Sequence, residues 1–280
     1  DGYIMTYSVA DDGTIKELVK QEHDTQLGQY NSLLKADEDT YILAYKGDGN
    51  DGFIKTFDIP ADGSSITERK SIRHDGSNGN YNSLVRVDHD TYLLAYSGHS
   101  NDGYFKTFDI PKDGKTITEV KSYEFDADEA KFMSLVELEP NYFAVAYSYG
   151  KRNHQRSRPY WQQASWIHTY NVSDDGKTIT GIASLRHNDK KPTNQHEAFV
   201  KLDEDSYALA FYGYGEVRSK YKGVLKTFTI PKDGSSITQE SIVPIFDPNE
   251  NYDDGLYNSV LKMNSENLLV KSRDRHGDWW

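Results

Sequence analysis

The stretch DGFIKTFDIPADGSSITERKSIRHDGSNGNYNSLVRVDHDTYLLAYSG, residues 51–98, contains four short segments of alternating apolar and polar residues, separated by turn residues. A close relative of its first half, DGYFKTFDIPKDGKTITEVKSYEFD, begins at Asp102, 51 residues after Asp51. Alternation with a period of two over short runs is typical of β-strands. The stretch therefore predicts a repeated unit of four antiparallel strands.

Three sequence markers give the number of copies. In the segment that reads GFIKTFDI, and in its counterparts, a Thr is followed by an aromatic residue, at Thr6, Thr56, Thr107, Thr169 and Thr227. The turn that follows this segment contains Asp-Gly, with its glycine at Gly13, Gly63, Gly114, Gly176 and Gly234. The motif YNSL or a variant of it starts at Tyr30, Tyr81, Phe132, His196 and Tyr257. Each marker occurs five times, and four-stranded repeats of about 40 to 50 residues are typical of β-propellers.

The phase of the repeat predicts how the chain closes. We label the strands of one copy A (YNSLVRV), B (TYLLAYS), C (GFIKTFDI) and D (ITERKSIRH). The chain opens with strands C and D, about residues 2–24, and ends with strands A and B, about residues 256–272. We therefore predict one all-β domain over residues 1–280, a five-bladed β-propeller closed by pairing the N-terminal strands C and D with the C-terminal strands A and B. The alternative is a window cut from a longer array.

The pattern resembles known five-bladed β-propellers, and its Asp-Gly turns resemble the Asp box of sialidase-type blades. Residues 173–178 have the Ser, Asp, Gly and Thr of that box, but the Asp and Gly are adjacent, and Ile179 stands where Trp is usual. An Asp box stabilises a turn far from the active face, so this resemblance implies architecture and no catalytic residue. The close similarity of the copies over residues 30–125 also resembles tachylectin-type lectins, which carry one sugar site in each blade.

Composition restricts the compartment and the partners. The absence of Cys excludes a disulfide framework and a thiol nucleophile, and it leaves the redox compartment undetermined. The formal net charge of -12 disfavours nucleic acid and anionic membranes as partners. No apolar run is long enough to predict a membrane span. We expect a monomeric protein that is extracellular or at the cell surface, with the periplasm as an alternative.

The connections between strands B and C break the symmetry of the repeat. The first two are short, GDGND from Gly47 and GHSND from Gly98. The third, within residues 149–165, has four basic residues and no acidic one, and residues 213–223 have three basic residues and one acidic. The chain ends with KSRDRHGDWW, which also follows a strand B. In a propeller these connections lie on one face, so three neighbouring copies predict a cationic face.

A local cationic face on an acidic protein would recruit an anionic ligand, because arginine pairs with carboxylate or sulfate groups through two hydrogen bonds. The aromatic residues nearby suit stacking on sugar rings. We therefore expect an acidic polysaccharide ligand. The candidate ligand-binding residues are Arg152, Arg156, Arg158, Trp161, Glu197, Tyr212, Arg218, Lys220, Arg273 and Arg275. The alternative is a solvated surface whose arginines pair with the protein's own carboxylates.

The same face leaves an enzymatic alternative open. A two-carboxylate glycoside hydrolase of the arabinanase class is disfavoured, because only Glu197 is acidic among the residues at the starts of the A strands. A polysaccharide lyase needs a cation beside the uronate carboxylate and a base and an acid, commonly His and Tyr. The candidate catalytic residues are His154, Tyr160, His196, Tyr214 and His276. A third interpretation is a non-catalytic adhesion or display module of a larger surface or phage protein.

Two further patterns bear on polar sites. The connections HDTQLGQYNS, residues 23–32, and HDGSNGNYNS, residues 74–83, build either equivalent polar sites or the same capped turn. No cofactor is required by any motif, and no zinc spacing, phosphate-binding loop or nucleophile elbow is present. Asp48, Asn50 and Asp51 offer oxygen ligands for Ca²⁺, although they lack the spacing of an EF-hand loop.

Overall fold

A computed structural model describes residues 1–153, 160–188, 195–214, 221–245, 256–264 and 267–273. The described chain is built of β-strands, with two short 3-10 turns and no α-helix in those ranges. The predicted all-β class is thus confirmed. None of the helical turns in these ranges has the length or the apolar character needed to cross a membrane.

The chain divides into two compact units, Asp1–Phe125 with Asp174–Lys177, and Asp126–Ser173 with Thr178–Trp280. The strands of the first unit are β1 Gly2–Val9, β2 Ile15–Asp24, β3 Gln29–Lys35, β4 Thr40–Lys46, β5 Gly52–Asp58, β6 Thr67–Asp75, β7 Asn80–Arg86, β8 Thr91–Ser97 and β9 Asp102–Asp109. Strand β10, Thr118–Glu139, has residues in both units. The strands of the second unit are β11 Tyr142–Asn153, β12 Tyr160–Val172, β13 Ile179–Asn188, β14 Gln195–Lys201, β15 Ser206–Tyr214, β16 Tyr221–Thr229, β17 Thr238–Pro244, β18 Leu256–Lys262 and β19 Leu268–Arg273.

In the first unit the predicted strands A to D form sheets in chain order. Strands β3, β4, β5 and β6 make one four-stranded antiparallel sheet, which we call copy 1. Strands β7, β8 and β9 with the beginning of β10 follow in the same order as copy 2. Strands β1 and β2 pair with each other as the predicted N-terminal strands C and D. The observed strands lie where the alternation predicts them.

The second unit repeats the arrangement. The end of β10 with β11, β12 and β13 forms copy 3, and β14 to β17 form copy 4. Strands β18 and β19 pair as the predicted C-terminal strands A and B. The number of blades and the closure of the ring stay predictions, as does the single domain over residues 1–280.

Burial explains why these segments are strands. Strand β8 is buried at every residue, because it lies inside its sheet and apolar side chains cover both faces. Strand β6 is largely exposed and carries charged residues, as expected for the last strand of a sheet. One apolar cluster of the first unit joins copies 1 and 2 through Ile42, Ile54, Leu94 and Phe108. Copies 1 and 2 therefore bury their apolar side chains against each other.

A repeated hydrogen bond joins consecutive copies. The Thr of strand C donates to the carbonyl of the Asp-Gly turn in the following copy, and we call these contacts the Thr–Gly bonds. They are Thr6–Gly63 at 2.8 Å, Thr56–Gly114 at 2.6 Å, Thr107–Gly176 at 2.7 Å and Thr169–Gly234 at 2.7 Å. The four glycines have φ between +63° and +67°, a conformation that other residues adopt only at a cost. The two sequence markers, Thr and Asp-Gly, are therefore the two halves of one contact.

Strand β10 differs from the prediction. The alternation predicted a strand D and a strand A joined by a connection, but β10 runs without a break from Thr118 to Glu139. The connections before β3 and β7 contain Gly28 and Gly79, where an added Cβ would clash with the Cα of Gly2 and of Gly52, whereas residues 126–131 contain no glycine. Phe132 has a positive φ of 56°, and Tyr30 and Tyr81 have similar φ values at the same position of copies 1 and 2. Copy 3 therefore keeps this backbone conformation although its strand is continuous.

The basic segment of residues 150–166 also differs from the prediction. We interpreted it as a loop, but its described backbone continues β11 to Asn153 and resumes in β12 at Tyr160. The antiparallel ladder extends through Gly150 with Gln163 to Asn153 with Tyr160. The polar composition concealed the strands, because residues in a ladder that extends past the core need no apolar face.

Candidate functional site

The structure describes eight of the fifteen predicted site residues, six of them by their backbone alone. His154, Arg156, Arg158, Arg218, Lys220, Arg275 and His276 lie outside the described residues. Arg152, Tyr160, Trp161, His196, Tyr214 and Arg273 lie in strands β11, β12, β14, β15 and β19, where the backbone alone is described. The side chains of Glu197 and Tyr212 are described, and both are buried.

The backbone nevertheless distinguishes the basic connections from the short ones. In copies 1 and 2, strand B has seven residues and leads into a 3-10 turn, Asp48–Asn50 or His99–Asn101. In copy 3, β11 and β12 have 12 and 13 residues, and their ladder places Arg152 opposite Trp161. The five residues from Tyr149 to Asn153 add about 17 Å of strand at roughly 3.3 Å per residue. We call this extension the copy 3 hairpin.

Glu197 lies at the base of the copy 3 hairpin. Its Oε1 accepts a hydrogen bond from Ser148 Oγ at 2.9 Å, and its Oε2 lies 3.7 Å from His187 Nε2. Ser148 Oγ is also 3.4 Å from Ser165 Oγ on β12. The side chains of Glu197 and His187 are fully buried, and a buried carboxylate is stable only with such partners. Glu197 therefore holds β14 against the two strands from which the hairpin extends, and its predicted ligand contact stays a prediction.

His187 and the two serines were not among the sequence candidates. Aligning the copies reveals the signal, since Ser165 takes the position that is glycine in Gly52, Gly103 and Gly223. Glu197 takes the position of Asn31 and Asn82 in the same alignment. The other predicted residue with a described side chain, Tyr212, is paired with Gln195 and Gly223 in the sheet of copy 4.

Lys226 is a buried cation next to the cluster of Glu197, His187 and the two serines. Its Nζ donates to the backbone carbonyl of His187, and its ammonium group lies 5.5 Å from the centre of the Phe211 ring. Lys55 makes the equivalent bond to the carbonyl of His23 at 2.8 Å, and Lys106 to that of His74. The contact is therefore a repeated structural one, which copy 4 shares with copies 1 and 2.

The paired connections HDTQLGQYNS and HDGSNGNYNS form the same capped turn. Asn31 Nδ2 donates to the carbonyl of Gly28 at 2.9 Å, and Asn82 Nδ2 donates to that of Gly79 at 2.8 Å. Asn82 also reaches the carbonyl of Tyr30 at 3.1 Å, which joins copy 2 to copy 1. The amides that were candidates for polar sites satisfy backbone groups in this way.

In the acidic segment proposed as a Ca²⁺ site, Asp51 forms an ion pair with Arg73 of β6. Asp51 Oδ2 lies 3.0 Å from Arg73 Nη1, and Asp48 and Asn50 belong to the adjoining 3-10 turn. Over the described ranges, no group of three His, Asp or Glu side chains is placed to hold a metal ion.

Comparison with known proteins identifies the fold and no family. No protein-family profile matches the sequence, and no curated protein does. A protein from Lactobacillus plantarum has a similar structure, with a TM-score of 0.54 and 14% identity over 96% of this chain and 73% of that one. The NanB sialidase from Streptococcus pneumoniae gives 0.54 and 15% over 97% of this chain, which spans only 38% of the sialidase.

A third solved structure is an α-L-arabinofuranosidase from Fusarium graminearum, with a TM-score of 0.50 and 11% identity over 95% of this chain and 79% of that one. Identities this low show the fold alone. The chain is therefore an all-β protein with propeller-like structural neighbours.

Proposed function

We propose that this chain is a carbohydrate-binding β-propeller that holds an acidic polysaccharide on the cationic face formed by its third, fourth and fifth copies. The observation that carries the proposal is the copy 3 hairpin, in which a basic, aromatic segment extends about 17 Å beyond the length of strand found in copies 1 and 2. Binding residues commonly lie on such connections above a rigid scaffold.

Repeat position supports placing the three basic segments together. The ends of β11, β15 and β19 are the same point of the repeat, in copy 3, in copy 4 and in the proposed fifth copy that begins with β18 and β19. All three strands belong to the second unit. In that unit β14 packs against β11 and β18. The arginine and lysine residues that follow these strands give the face its positive charge, against a chain total of -12.

The solved structures with this fold add a second line of support. Two of these solved structures carry the names sialidase and arabinofuranosidase, and each name refers to a sugar. Their likeness carries no residue-level correspondence, so sugar recognition by this chain is a proposal. We extend it to an extracellular, cell-surface or periplasmic location and to a monomeric state without nucleic-acid or membrane partners.

Replacing Arg156 and Arg158 with Ala should reduce retention of the protein on alginate-coupled beads about tenfold, because each lost arginine removes a charge-assisted contact. Retention of the unchanged protein should fall as salt is added, since exposed charges are screened. The matched control replaces Lys112 and Lys115, two basic residues of an Asp-Gly turn, with Ala. The proposal is wrong if the two double variants are retained equally on alginate-coupled beads, or if the unchanged protein is retained on neutral dextran beads.

Incubating the protein with soluble alginate tests the enzymatic alternative. A lyase acting through His154, Tyr160, His196, Tyr214 or His276 would release unsaturated uronate products that absorb in the ultraviolet. A binding or display module retains the polymer without that absorbance. Growth of the signal with time, and its loss in a His154→Ala variant, would reassign the face from binding to catalysis.

For the fold, we propose that β18, β19, β1 and β2 form a fifth blade, as the repeat predicts. Four Thr–Gly bonds are formed in series, and the fifth members of the two markers are Thr227 and Gly13. Leu33 of β3 is 57% exposed, whereas its counterparts Leu84 and Phe199 are 6% and 4% exposed under a preceding copy. A fifth blade that precedes copy 1 would cover Leu33 in the same way.

A disulfide between Thr227→Cys and Gly13→Cys should form in air and survive denaturation. A Cβ at Gly63 or Gly114 would lie 3.2 Å from the Cβ of its Thr, and one at Gly176 or Gly234 would lie 3.0 Å away. The Cβ atoms of a disulfide are about 3.8 Å apart, so a shift of the turn by less than about 1 Å accommodates the bond. The chain has no other cysteine, so free-thiol titration and non-reducing electrophoresis report this bond alone. The control pairs Thr227→Cys with Asp11→Cys. Two free thiols in the first variant would contradict the closed ring.

A further inference from the structure

The first residue of the YNSL motif has an unusual backbone conformation in copies 1, 2 and 3. Tyr30, Tyr81 and Phe132 have φ of 53°, 55° and 56°, in the left-handed region. A bulky residue rarely adopts this conformation, whereas glycine and asparagine enter it at a lower cost. The repeat therefore keeps an aromatic ring at a position where a smaller residue would strain the backbone less.

Contacts around the motif impose this conformation in copies 1 and 2. The ladder between strands A and B shifts its register at the motif, so the aromatic residue lies outside the regular pairing. The asparagine that follows it, Asn31 or Asn82, donates to a carbonyl of the preceding connection. Backbone strain persists only where the surrounding structure imposes it, and it is concentrated at functional sites. The strain therefore directs attention to what the aromatic rings contact.

Packing between copies leaves these rings partly exposed. Tyr30 is 40% exposed. Tyr81 is also partly exposed, although copy 1 precedes it and covers Leu84 of the same strand, which is only 6% exposed. A preceding copy thus buries the position of Leu84 and not the aromatic position. By the same reasoning, a fifth blade in front of copy 1 would cover Leu33 and leave part of Tyr30 in contact with solvent.

Tyr30 and Tyr81 form one aromatic surface with a cation beside it. Their ring centres are 4.5 Å apart and the ring planes are inclined by 54°. Lys46 Nζ lies 5.9 Å from the centre of the Tyr30 ring. Within the described ranges this ammonium group has no hydrogen bond or ion pair, whereas Lys55 and Lys106 each bond to a carbonyl and to a glutamate. We call these three residues, Tyr30, Tyr81 and Lys46, the tyrosine surface.

Charge indicates which ligand the tyrosine surface suits. Asp48 follows Lys46 by two residues, and Asp24 Oδ2 accepts from the backbone N–H of Asp48 at 3.4 Å. These two carboxylates offset the charge of Lys46, so the region has no positive excess that would select an anion. A cationic ligand would be repelled by Lys46 itself. A neutral sugar suits both features, because its hydroxyls accept from an ammonium group and its C–H groups pack on aromatic rings.

We propose that the tyrosine surface binds one ring of a neutral saccharide, with the C–H face of the sugar against the tyrosine pair and one of its hydroxyls accepting from Lys46 Nζ. All three residues belong to the first unit, whereas the basic segments of the proposed acidic-polysaccharide face belong to the second. The site is therefore additional to that face, and its ligand differs in charge.

Saturation-transfer NMR with maltohexaose, laminarihexaose and xylohexaose tests this proposal. The aromatic protons of the protein are saturated, and the signal passes to sugar C–H groups that pack against a ring. We expect transfer to at least one of the three hexasaccharides, with a millimolar dissociation constant, because a single sugar ring makes few contacts. Absence of transfer to all three would overturn the proposal.

Two variants assign the binding to the tyrosine surface. Tyr30→Asn removes the ring, suits the positive φ and should weaken binding about tenfold or more. Lys46→Ser copies Ser97, the residue at this position of copy 2, and should weaken binding about threefold. Tyr7→Asn is the matched control, since Tyr7 is 50% exposed on β1 of the same unit, and it should bind as the unchanged protein does.

Circular dichroism of each variant shows whether the fold is kept. Undiminished binding by a folded Tyr30→Asn variant would overturn the proposal, as would an equal loss in Tyr7→Asn. If Tyr30→Asn does not fold, Lys46→Ser decides the question, because the change from Lys to Ser already occurs between copies 1 and 2. Undiminished binding by Lys46→Ser would then contradict the proposed contact.

Discussion

Replacing Gly114 with Ala is expected to lower the free energy of unfolding by about 3 kcal/mol. The φ of Gly114 is +63°, which costs other residues about 1 to 2 kcal/mol. A Cβ there would also lie 3.0 Å from Thr40 Cγ2 and 3.2 Å from Thr56 Cβ. Moving the turn to relieve these contacts lengthens the Thr56–Gly114 bond, whose loss adds about 1 kcal/mol. Urea denaturation followed by fluorescence measures the change.

Gly49→Ala is the matched control for this experiment. Gly49 has a similar φ of +68°, but the nearest atom to an added Cβ belongs to Asp51 at 3.8 Å, an ordinary contact. This variant should lose only the conformational part, about 1 to 2 kcal/mol. A loss as large as that of Gly114→Ala would show that backbone strain alone, and not the contact between copies, makes the Asp-Gly turns sensitive.

Acidification is expected to destabilise the protein through His74, and His74→Phe should reduce that loss. Burial, followed by the positive charge of Lys106, lowers the pKa of His74 to about 3 in the folded state. The unfolded chain takes up the proton near pH 6.5, so stability falls as the pH drops from about 6.5 towards 3. The difference corresponds to about 4 kcal/mol over that range. Phenylalanine is a reasonable replacement, because Phe125 has this position in copy 2.

The measurement compares urea midpoints at neutral pH and at pH values between about 4 and 6, where the His74 contribution changes. His74→Phe should keep more of its neutral-pH stability on acidification than the unchanged protein does. His89→Asn serves as the control, since His89 is exposed in a turn. If all three proteins lose the same stability, the buried imidazole of His74 is not the origin of the acid sensitivity.

Much of the fold could be predicted because the residues that form contacts between copies recur at fixed positions of the sequence repeat. Thr56 and Gly114 are conspicuous as recurring residues, and the structure shows that recurring pairs of this kind bond to each other. The short apolar runs of β4 and β8 gave their positions, since a strand that is covered on both faces is apolar along its whole length. Closure of the ring is a property of the whole chain, and no local pattern can establish it.

The candidate site was less predictable for a physical reason. The basic segment was read as a loop because polar residues carry no burial signal, yet the ladder from Gly150 to Asn153 is held by backbone hydrogen bonds that any sequence can make. The cluster of Tyr147, His168 and Tyr170 depends on side-chain contacts within and between the neighbouring strands β11 and β12, and no periodic pattern in the sequence marks such contacts. Only comparison of His168 with Lys55, Lys106 and Lys226 would have identified it from the sequence.

The Thr–Gly bonds have a consequence for how such a chain can evolve. Each of these four junctions uses one hydroxyl from the earlier sheet and one carbonyl from the later one. The donor and the acceptor are therefore the same from one junction to the next. Duplicating or deleting a whole unit of the gene therefore creates a junction that already fits. Recognition surfaces can diverge at the opposite end of each sheet while the couplings between sheets stay constant.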